Sequence, residues 1–339
     1  MSAERHDLPG VLRPLTGFDG IADERLHRTN LSIATGSGPV VIGFATDSPK
    51  LRDWARGNWA VAPSDAPPAG RLYVCTAPPA AFGLDLPADT TRWWCPGERS
   101  LLSFRTDSYS IVKVGVRGVC SAVGGEDTMF AHGCAFRLDH PAGTRGVLVI
   151  GSSGAGKTTL VSRLCRTPGG RTRIVNDDWG AVDLATGTVV HTGESRLHMK
   201  MRSVLAVHPG FDAPTPMMEG SGDPDDPGTR VLVDPALVYG RDGLAHSARL
   251  THVVFVARDA PPPSADQLMT VLEQGSYSAY YQRSEQFYNG SLILLSEADR
   301  ERERDRYRRL FKDVEVSWLH NNGTPDDLVD SFMRAVGLG

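Results

Sequence analysis

Hydrophobic residues in the first part of the chain occur in short runs that alternate with clusters of turn-forming Pro, Gly, Asp and Ser. Short apolar runs bounded by such clusters are typical of β-strands. The pattern predicts strands at residues 39–44, 71–75, 100–104 and 109–114. Residues 1–125 are therefore predicted to form a small, sheet-rich N-terminal domain.

Beyond residue 125 the pattern changes, because helical spacing appears between the short apolar runs. An apolar run at residues 147–150 is followed by Leu160 and Leu164 at helical spacing, and a second run lies at residues 172–176. A strand, helix and strand in this order form a right-handed βαβ unit. Further strands are predicted at residues 128–136 (antiparallel to the strand at 147–150), 231–233, 251–256 and 291–295, and helices at residues 268–288, 297–312 and 324–335. This alternation predicts an α/β domain over residues 126–339.

A glycine-rich motif connects the first strand of this unit to its helix. Residues 151–158 read GSSGAGKT, which fits the phosphate-binding pattern G-x-x-x-x-G-K-[ST]. Glycines let backbone N–H groups converge on phosphate oxygens at the positive end of the helix, while Lys157 adds charge and the Thr158 hydroxyl ligates Mg²⁺. An ordinary glycine-rich turn would explain the glycines but not the Lys-Thr pair, so we predict a site for ATP and Mg²⁺. The predicted nucleotide-binding residues are Gly151, Ser152, Ser153, Gly154, Ala155, Gly156, Lys157, Thr158 and Thr159.

Two acids, Asp177 and Asp178, follow the predicted strand at residues 172–176. Ligands bind at the carboxyl ends of parallel strands, so we expect these carboxylates beside the phosphates. One acid can bind Mg²⁺ while its neighbour accepts a proton from an attacking hydroxyl group. An acidic turn without a chemical role is the alternative interpretation of the pair. Asp259, after the predicted strand at residues 251–256, is a second candidate for the metal-binding acid.

The order of these motifs resembles the catalytic domain of HPr kinase/phosphorylase. Members of that family carry a His-Gly pair, a GxSGxGKS-type loop and an Asp pair in this order. The corresponding features of this chain are His132-Gly133, the loop at residues 151–158, and Asp177-Asp178. The resemblance covers residues 128–205 and implies a P-loop-containing, HPr kinase/PEP carboxykinase-like fold for the catalytic domain.

The related ATP-dependent phosphoenolpyruvate carboxykinases share the loop and the Asp pair. Further similarities are Trp179 directly after the pair, and Glu194 and Lys200 at the spacing of that family's glutamate and lysine. The sequence has no counterpart of the glycine-rich segment that supports phosphorolysis in HPr kinase/phosphorylase, nor of an oxaloacetate-binding set of arginines. The resemblance therefore implies kinase activity rather than phosphorylase or carboxykinase activity.

A role for each matching residue is implied by the resemblance. One Asp of the pair would bind Mg²⁺ and the other would act as the general base, oriented by His132, while basic side chains would neutralise the transferring phosphoryl group. The alternative interpretation is that His132 is a structural residue inside a strand, with its hydrogen bonds satisfied. The implied catalytic residues are His132, Lys157, Asp177, Asp178, Arg196 and Lys200, and the implied metal ligands are Thr158, Asp178 and Glu194.

Composition and charge narrow the range of partners. A net charge of −4 over 339 residues gives no overall basic surface, so we expect no nucleic acid partner. The chain has no apolar stretch long enough to cross a bilayer and no apolar signal-peptide core at its N-terminus, so we expect a cytoplasmic protein without a membrane partner. The five cysteines are scattered and never form a C-x-x-C pair, which argues against a disulfide framework and a zinc site.

Taken together, the motifs predict an ATP-dependent kinase that transfers the γ-phosphoryl group to a hydroxyl acceptor. The acceptor is a serine-like hydroxyl, free or in a peptide or protein, or a small-molecule alcohol. One alternative is a non-catalytic ATP-binding regulatory protein whose N-terminal domain binds a substrate or partner. Another is a simple ATPase that uses Asp259. The sequence leaves open the acceptor, the donor nucleotide, which Asp is the base, and whether the protein forms a homo-oligomer.

Overall fold

The computed structural model describes most of the chain, in eight ranges of residues. The described residues are 12–87, 90–151, 155–166, 171–207, 209–212, 218–226, 228–258 and 296–339. Asp259, the predicted helix at residues 268–288 and the predicted strand at residues 291–295 therefore lie outside the described residues. Ser152, Ser153 and Gly154 of the predicted phosphate loop also lie outside them.

Seven strands and two α-helices are the main elements in the first part of the described chain, besides a short 3-10 helix at Pro79–Phe82. They are β1 (Leu12–Pro14), β2 (His27–Ile33), β3 (Val40–Thr46), α1 (Pro49–Asn58), β4 (Ala60–Val61), β5 (Gly70–Cys75), β6 (Arg92–Cys95), β7 (Ser100–Phe104) and α2 (Tyr109–Val123). The strands form one seven-stranded sheet in the order β1-β6-β7-β5-β3-β2-β4. This confirms the predicted strands at residues 39–44, 71–75 and 100–104 and the sheet-rich character of this part.

The predicted strand at residues 109–114 is wrong, because this segment is the start of helix α2. Val112 and Val116 lie buried on the face of α2 that packs against the sheet. A short apolar run fits strand and helix periods equally well, and only a longer window separates them. As a consequence, Lys113 and Arg117 are one helical turn apart and lie on the same side of α2.

The second part of the chain contains several smaller sheets around a central five-stranded one. Its elements are β8 (Thr128–Ala131), β9 (Cys134–His140), β10 (Gly143–Gly151), α3 (Lys157–Leu164), β11 (Arg171–Asn176), β12 (Gly180–Asp183), β13 (Thr188–Val190), β14 (Leu197–Lys200), α4 (Met201–Val207), β15 (Met218–Glu219), β16 (Arg230–Val233), α5 (Pro235–Tyr239), β17 (Ser247–Arg249), β18 (His252–Ala257), α6 (Glu297–Phe311), β19 (Glu315–His320) and α7 (Pro325–Ala335). The central sheet has the order β11-β9-β10-β18-β19. The described chain is therefore mixed α/β, as predicted.

The strand order of the central sheet brings the glycine loop and the Asp pair to the same end of the sheet. Strand β9 is antiparallel to both β10 and β11, so β10 and β11 run in the same direction with β9 between them. Their carboxyl ends, where the glycine loop and the Asp pair follow, lie at the same end of the sheet.

The predicted strand at residues 128–136 is divided at His132-Gly133, and only its second part, β9, pairs antiparallel with β10. The first part, β8, pairs with β12 instead.

The apolar core is continuous between the two parts of the chain. One buried cluster combines Tyr109 and Val116 of α2 with Phe130, Trp179 and Leu232 from the second part. The boundary near residue 125 stays a prediction, because side chains from both sides of it share this core. Among the helices of the described ranges, none is both long and apolar enough to cross a membrane.

Candidate functional site

The described ends of the predicted phosphate loop have the backbone geometry that glycine permits. Strand β10 ends at Gly151 and helix α3 begins at Lys157, directly after Gly156. Gly156 has a φ of +110°, and a Cβ atom there would lie 2.5 Å from Nδ2 of Asn321. Both the left-handed backbone and the close contact therefore exclude a larger residue. Thr158 and Thr159 lie in the first turn of α3, where Thr159 is exposed.

Asn321, a residue that the sequence did not indicate, positions this loop from the end of β19. Its side-chain Nδ2 donates a hydrogen bond of 2.7 Å to the Ala155 carbonyl, and its backbone N–H donates one of 2.6 Å to the Ala257 carbonyl. The side chain is buried, so the bond to Ala155 is protected from water. The carboxyl ends of β18 and β19 thus hold the loop that follows β10.

Asn321→Ala is expected to weaken ATP binding about tenfold and to lower the free energy of unfolding by about 1 kcal/mol, because it removes the hydrogen bond that fixes Ala155. Isothermal titration with ATP and thermal denaturation measure the two effects. Asn30→Ala is a matched control, since Asn30 also donates to a loop carbonyl, at Ala66, but in the N-terminal sheet. Equal ATP affinities of the two variants would contradict the role of Asn321 in positioning the loop.

Lys157 lies close enough to both predicted acids to interact with their charges. Its Nζ donates a hydrogen bond of 2.6 Å to the Gly151 carbonyl across the loop. Burial lowers the pKa of Lys157, and the negative charges of Asp178 and Asp177 act against this shift. The structure therefore brings together the cation of the loop and the acids that follow β11.

Asp177 and Asp178, here called the twin-acid turn, have different surroundings. Oδ1 of Asp177 accepts a hydrogen bond of 2.9 Å from the Tyr239 hydroxyl at the end of α5. Burial and the neighbouring charge of Asp178 raise the pKa of Asp177 above its usual value. A carboxylate with a raised pKa is better suited to accept a proton than an ordinary surface aspartate.

Asp178 is instead surrounded by positive and hydrogen-bonding groups. Nε2 of His132 lies 3.1 Å from its Oδ1, while Lys113 Nζ and Arg117 Nη2 lie 3.0 Å and 2.6 Å from its Oδ2. Although burial opposes the shift, Arg117, Lys113 and His132 hold the pKa of Asp178 well below its usual value. Asp178 is therefore a carboxylate anion over the whole physiological pH range.

The His132-Gly133 pair has a geometric explanation. The chain turns sharply between β8 and β9, and a Cβ atom at Gly133 would lie 2.5 Å from the Val149 carbonyl oxygen. The Gly133 N–H donates a hydrogen bond of 3.1 Å to the Asp178 carbonyl. Burial lowers the pKa of His132 even though the hydrogen bond to Asp178 acts against this shift, so its ring is neutral near pH 7. His132 thus contacts Asp178, the lower-pKa acid of the pair, rather than Asp177.

Glu194, predicted as a metal-side acid, belongs to a dense hydrogen-bond network. Its carboxylate accepts from Trp179 Nε1 at 2.8 Å and from Asn58 Nδ2 at 3.1 Å, and it forms an ion pair of 2.8 Å with Lys113. The backbone N–H of Arg196 donates to Oδ1 of the same Asn58 at 2.7 Å. In this arrangement Glu194 connects the N-terminal part to the segment after β13.

The twin-acid turn lines an open cleft whose enclosed space is about 30 Å³. Its lining comes from α2, from the end of β11, from within residues 191–198, from the start of α5 and from Leu244. The charged side chains that line it are Lys113, Asp177, Asp178, Glu194 and Arg196. Arg196 therefore lies at the cleft. Lys200 is on β14 opposite Arg230 and is not among the lining residues that the structure describes.

The donor atoms present fit the predicted Mg²⁺ in part. Within the described ranges no group of three or more His, Cys, Asp or Glu side chains is arranged to hold a metal by itself. Mg²⁺ that accompanies a nucleotide needs only one or two protein oxygens, because phosphates and water supply the rest. The carboxylates of Asp178 and Glu194 each have three partners already, but the side chain of Asp178 is 39% exposed and that of Glu194 only 11%, so Thr158 and Asp178 match that requirement better.

Sequence reasoning missed several residues of this site. Lys113 and Arg117 have the i, i+4 spacing of neighbours on a helix, but the strand predicted at residues 109–114 concealed that signal. Asn58 and Tyr239 are far from the motifs in sequence, and no local pattern marks them. The likeness to HPr kinase/phosphorylase rests on the motifs alone, since the chain matches no known protein-family model and no curated protein.

Proposed function

We propose that the chain is an ATP-dependent, HPr kinase-like enzyme that transfers the γ-phosphoryl group to a hydroxyl acceptor. The observation that supports this proposal most is the position of the twin-acid turn. It lines an open cleft and lies within electrostatic range of Lys157 at the start of α3. A phosphate-binding cation, a pair of acids and an adjoining cleft are the parts that phosphoryl transfer to an alcohol requires.

Lys157 and the backbone N–H groups at the start of α3 would bind the β- and γ-phosphates of ATP. Mg²⁺, held by the Thr158 hydroxyl and by Asp178, would neutralise phosphate charge when bound. Asp178 would keep its negative charge through the contacts with Lys113, Arg117 and His132 described above. These groups position and neutralise the triphosphate, which is most of what catalysis of this reaction needs.

Asp177 is the better candidate for the general base. Its pKa is raised by burial and by Asp178, so it accepts a proton more readily than its neighbour. The acceptor hydroxyl would lie in the cleft, give its proton to Asp177 and form a bond to the γ-phosphorus. The bond between that phosphorus and the β,γ-bridging oxygen would break, and ADP would leave with the electron pair. The Tyr239 hydroxyl orients the base by its hydrogen bond of 2.9 Å to Oδ1.

The size of the cleft limits the acceptor. Its enclosed space of about 30 Å³ has room for about two water molecules, so it admits a hydroxyl group or the tip of one side chain, and not the surface of a folded domain. Arg196 on its wall would neutralise negative charge near the transferring group. We therefore place free hydroxy amino acids, sugars, cyclitols and short serine-containing peptides first among the acceptors.

The proposal is tested by incubating the protein with γ-labelled ATP, Mg²⁺ and a panel of these acceptors, followed by mass measurement of the products. The expected result is label on one acceptor class, and its loss in the double variant Asp177→Asn with Asp178→Asn while ATP still binds. Unchanged turnover in the double variant would refute the assignment. ATP binding without consumption would instead support a regulatory protein, and a large loss of hydrolysis in Asp259→Asn would support a simple ATPase.

A further inference from the structure

Helix α2 of the N-terminal part presents two cations to the twin-acid turn. The charged groups of Lys113 and Arg117 both reach Oδ2 of Asp178. The two basic side chains are only 4% and 6% exposed, whereas the side chain of Asp178 is 39% exposed. The cations therefore approach the carboxylate from the interior of the protein and leave its exposed side to the cleft.

The same two cations also hold the residues around Asp178. Lys113 forms its second ion pair with Glu194, which in turn accepts the hydrogen bond from the Trp179 indole. The Arg117 guanidinium lies over the Trp179 ring, 5.3 Å from its centroid. Since Trp179 follows Asp178 directly in the chain, α2 fixes both the carboxylate and the backbone beside it.

Stability alone is a weak explanation for this cluster. Removing ionised groups from water costs several kcal/mol for each ion, and well-packed apolar residues stabilise a core equally well. The cluster is balanced, with Lys113 and Arg117 facing Asp178 and Glu194, so its charges are mutually compensated. What it provides beyond apolar packing is a fixed orientation of one carboxylate at the cleft. Phosphoryl transfer depends on orientation of this kind, and small displacements of a catalytic group are costly.

We propose that Lys113 and Arg117 are positioning residues for phosphoryl transfer, which act by fixing Asp178 at the acceptor cleft. This inference rests on the proposed kinase function. It makes the N-terminal part a component of the active site rather than a separate module for binding a partner, because α2 supplies the groups that hold the twin-acid turn.

The test compares Lys113→Met and Arg117→Met with the control Lys50→Met in the full-length protein. Lys50 is an exposed residue of α1. Its ammonium group lies over the ring of Trp54, which does not line the cleft. The expected result is a fall in kcat of about 100-fold in the two α2 variants, with the KM for ATP changed less than about threefold, because orientation and not nucleotide binding is lost. Lys113→Arg is expected to recover most of the rate, since it restores a cation that can reach both carboxylates.

A double-variant cycle separates positioning from general destabilisation. If Lys113 acts through Asp178, then Lys113→Met combined with Asp178→Asn lowers kcat no further than Asp178→Asn alone. The inference would be overturned if the losses of kcat in the two single variants added up in the double variant. It would also be overturned if the α2 variants had the same kcat as Lys50→Met. Neither outcome would contradict the kinase function. Absence of γ-phosphoryl transfer by the unchanged protein to every acceptor would overturn both. Retained ATP affinity verifies that each variant is folded under the assay conditions.

Discussion

Asp177→Asn and Asp178→Asn are expected to change thermal stability in opposite directions, although both should lower the rate of phosphoryl transfer. For Asp177→Asn we expect a loss of about 10³-fold in kcat, because a general base contributes about 10²–10⁴-fold to such reactions. The same variant should have a higher melting temperature than the unchanged protein near neutral pH. Its neutral amide avoids the unfavourable burial of a charge beside Asp178 that raises the pKa of Asp177.

Asp178→Asn should lower the free energy of unfolding by about 2 kcal/mol, because it leaves the buried charge of Arg117 without its closest carboxylate. This magnitude is below the range for fully buried pairs, since Asp178 itself is 39% exposed and therefore partly screened. Lys113 keeps its ion pair with Glu194 in this variant. Asp178→Asn should also lower kcat, because Lys113 and Arg117 no longer hold the turn that carries Asp177.

The pH dependence of the two stability changes has a definite sign. The folded-state pKa of Asp177 is raised, so its ionisation opposes folding, and this cost disappears as the pH falls through that pKa. The folded-state pKa of Asp178 is lowered, so its ionised carboxylate stabilises the folded state. This stabilisation is fully present above the pKa of Asp178 in the unfolded chain, and it is lost only as the pH falls through the lower pKa of the folded state. Between about pH 7 and pH 4 the advantage of Asp177→Asn should therefore shrink, while the penalty of Asp178→Asn persists.

Thermal denaturation of both variants and of the unchanged protein across this pH range measures the effect without any assumption about the acceptor. Melting temperatures that shift in the same direction in both variants would show that the two carboxylates have similar surroundings. That outcome would contradict the geometry on which the assignment of Asp177 as the base depends.

Gly156→Ala is expected to reduce ATP affinity by at least about 100-fold and to destabilise the fold by about 1–3 kcal/mol. The φ of +110° at Gly156 is disfavoured for alanine, and the added methyl group would lie 2.5 Å from Nδ2 of Asn321. Relief of this contact would displace either the start of α3 or the hydrogen bond that Asn321 makes to Ala155. Both changes would disturb the backbone that we propose binds the phosphates.

Gly57→Ala is the matched control for this variant. Gly57 lies in α1, and a Cβ atom there would have nothing within 4 Å. Alanine is favoured over glycine in a helix, so the control should leave ATP affinity unchanged and keep or slightly raise the melting temperature. Titration with ATP compares the two variants directly. Equal affinities would show that the turn before α3 does not take part in nucleotide binding.

The local elements of the second part could be predicted from sequence because their signals are contained in a few adjacent residues. The apolar run before Gly151, the helical spacing after Lys157 and the capping residue Thr324 each specify an element within one or two turns of chain. The segment that begins at Tyr109 could not be assigned in the same way. Its first residues fit two periods, and the packing of Val112 and Val116 against the sheet selects the helix.

By itself, the sequence determined that a strand, a glycine loop and a helix follow one another, and that two acids close a later strand, because backbone geometry and side-chain period are local properties. Only the tertiary structure decided which groups surround those acids. Lys113 and Arg117 reach Asp178 from 65 and 61 positions away along the chain, and Tyr239 reaches Asp177 from 62 positions away. Contacts at such separations depend on how sheets and helices pack on a shared core, which no local pattern records.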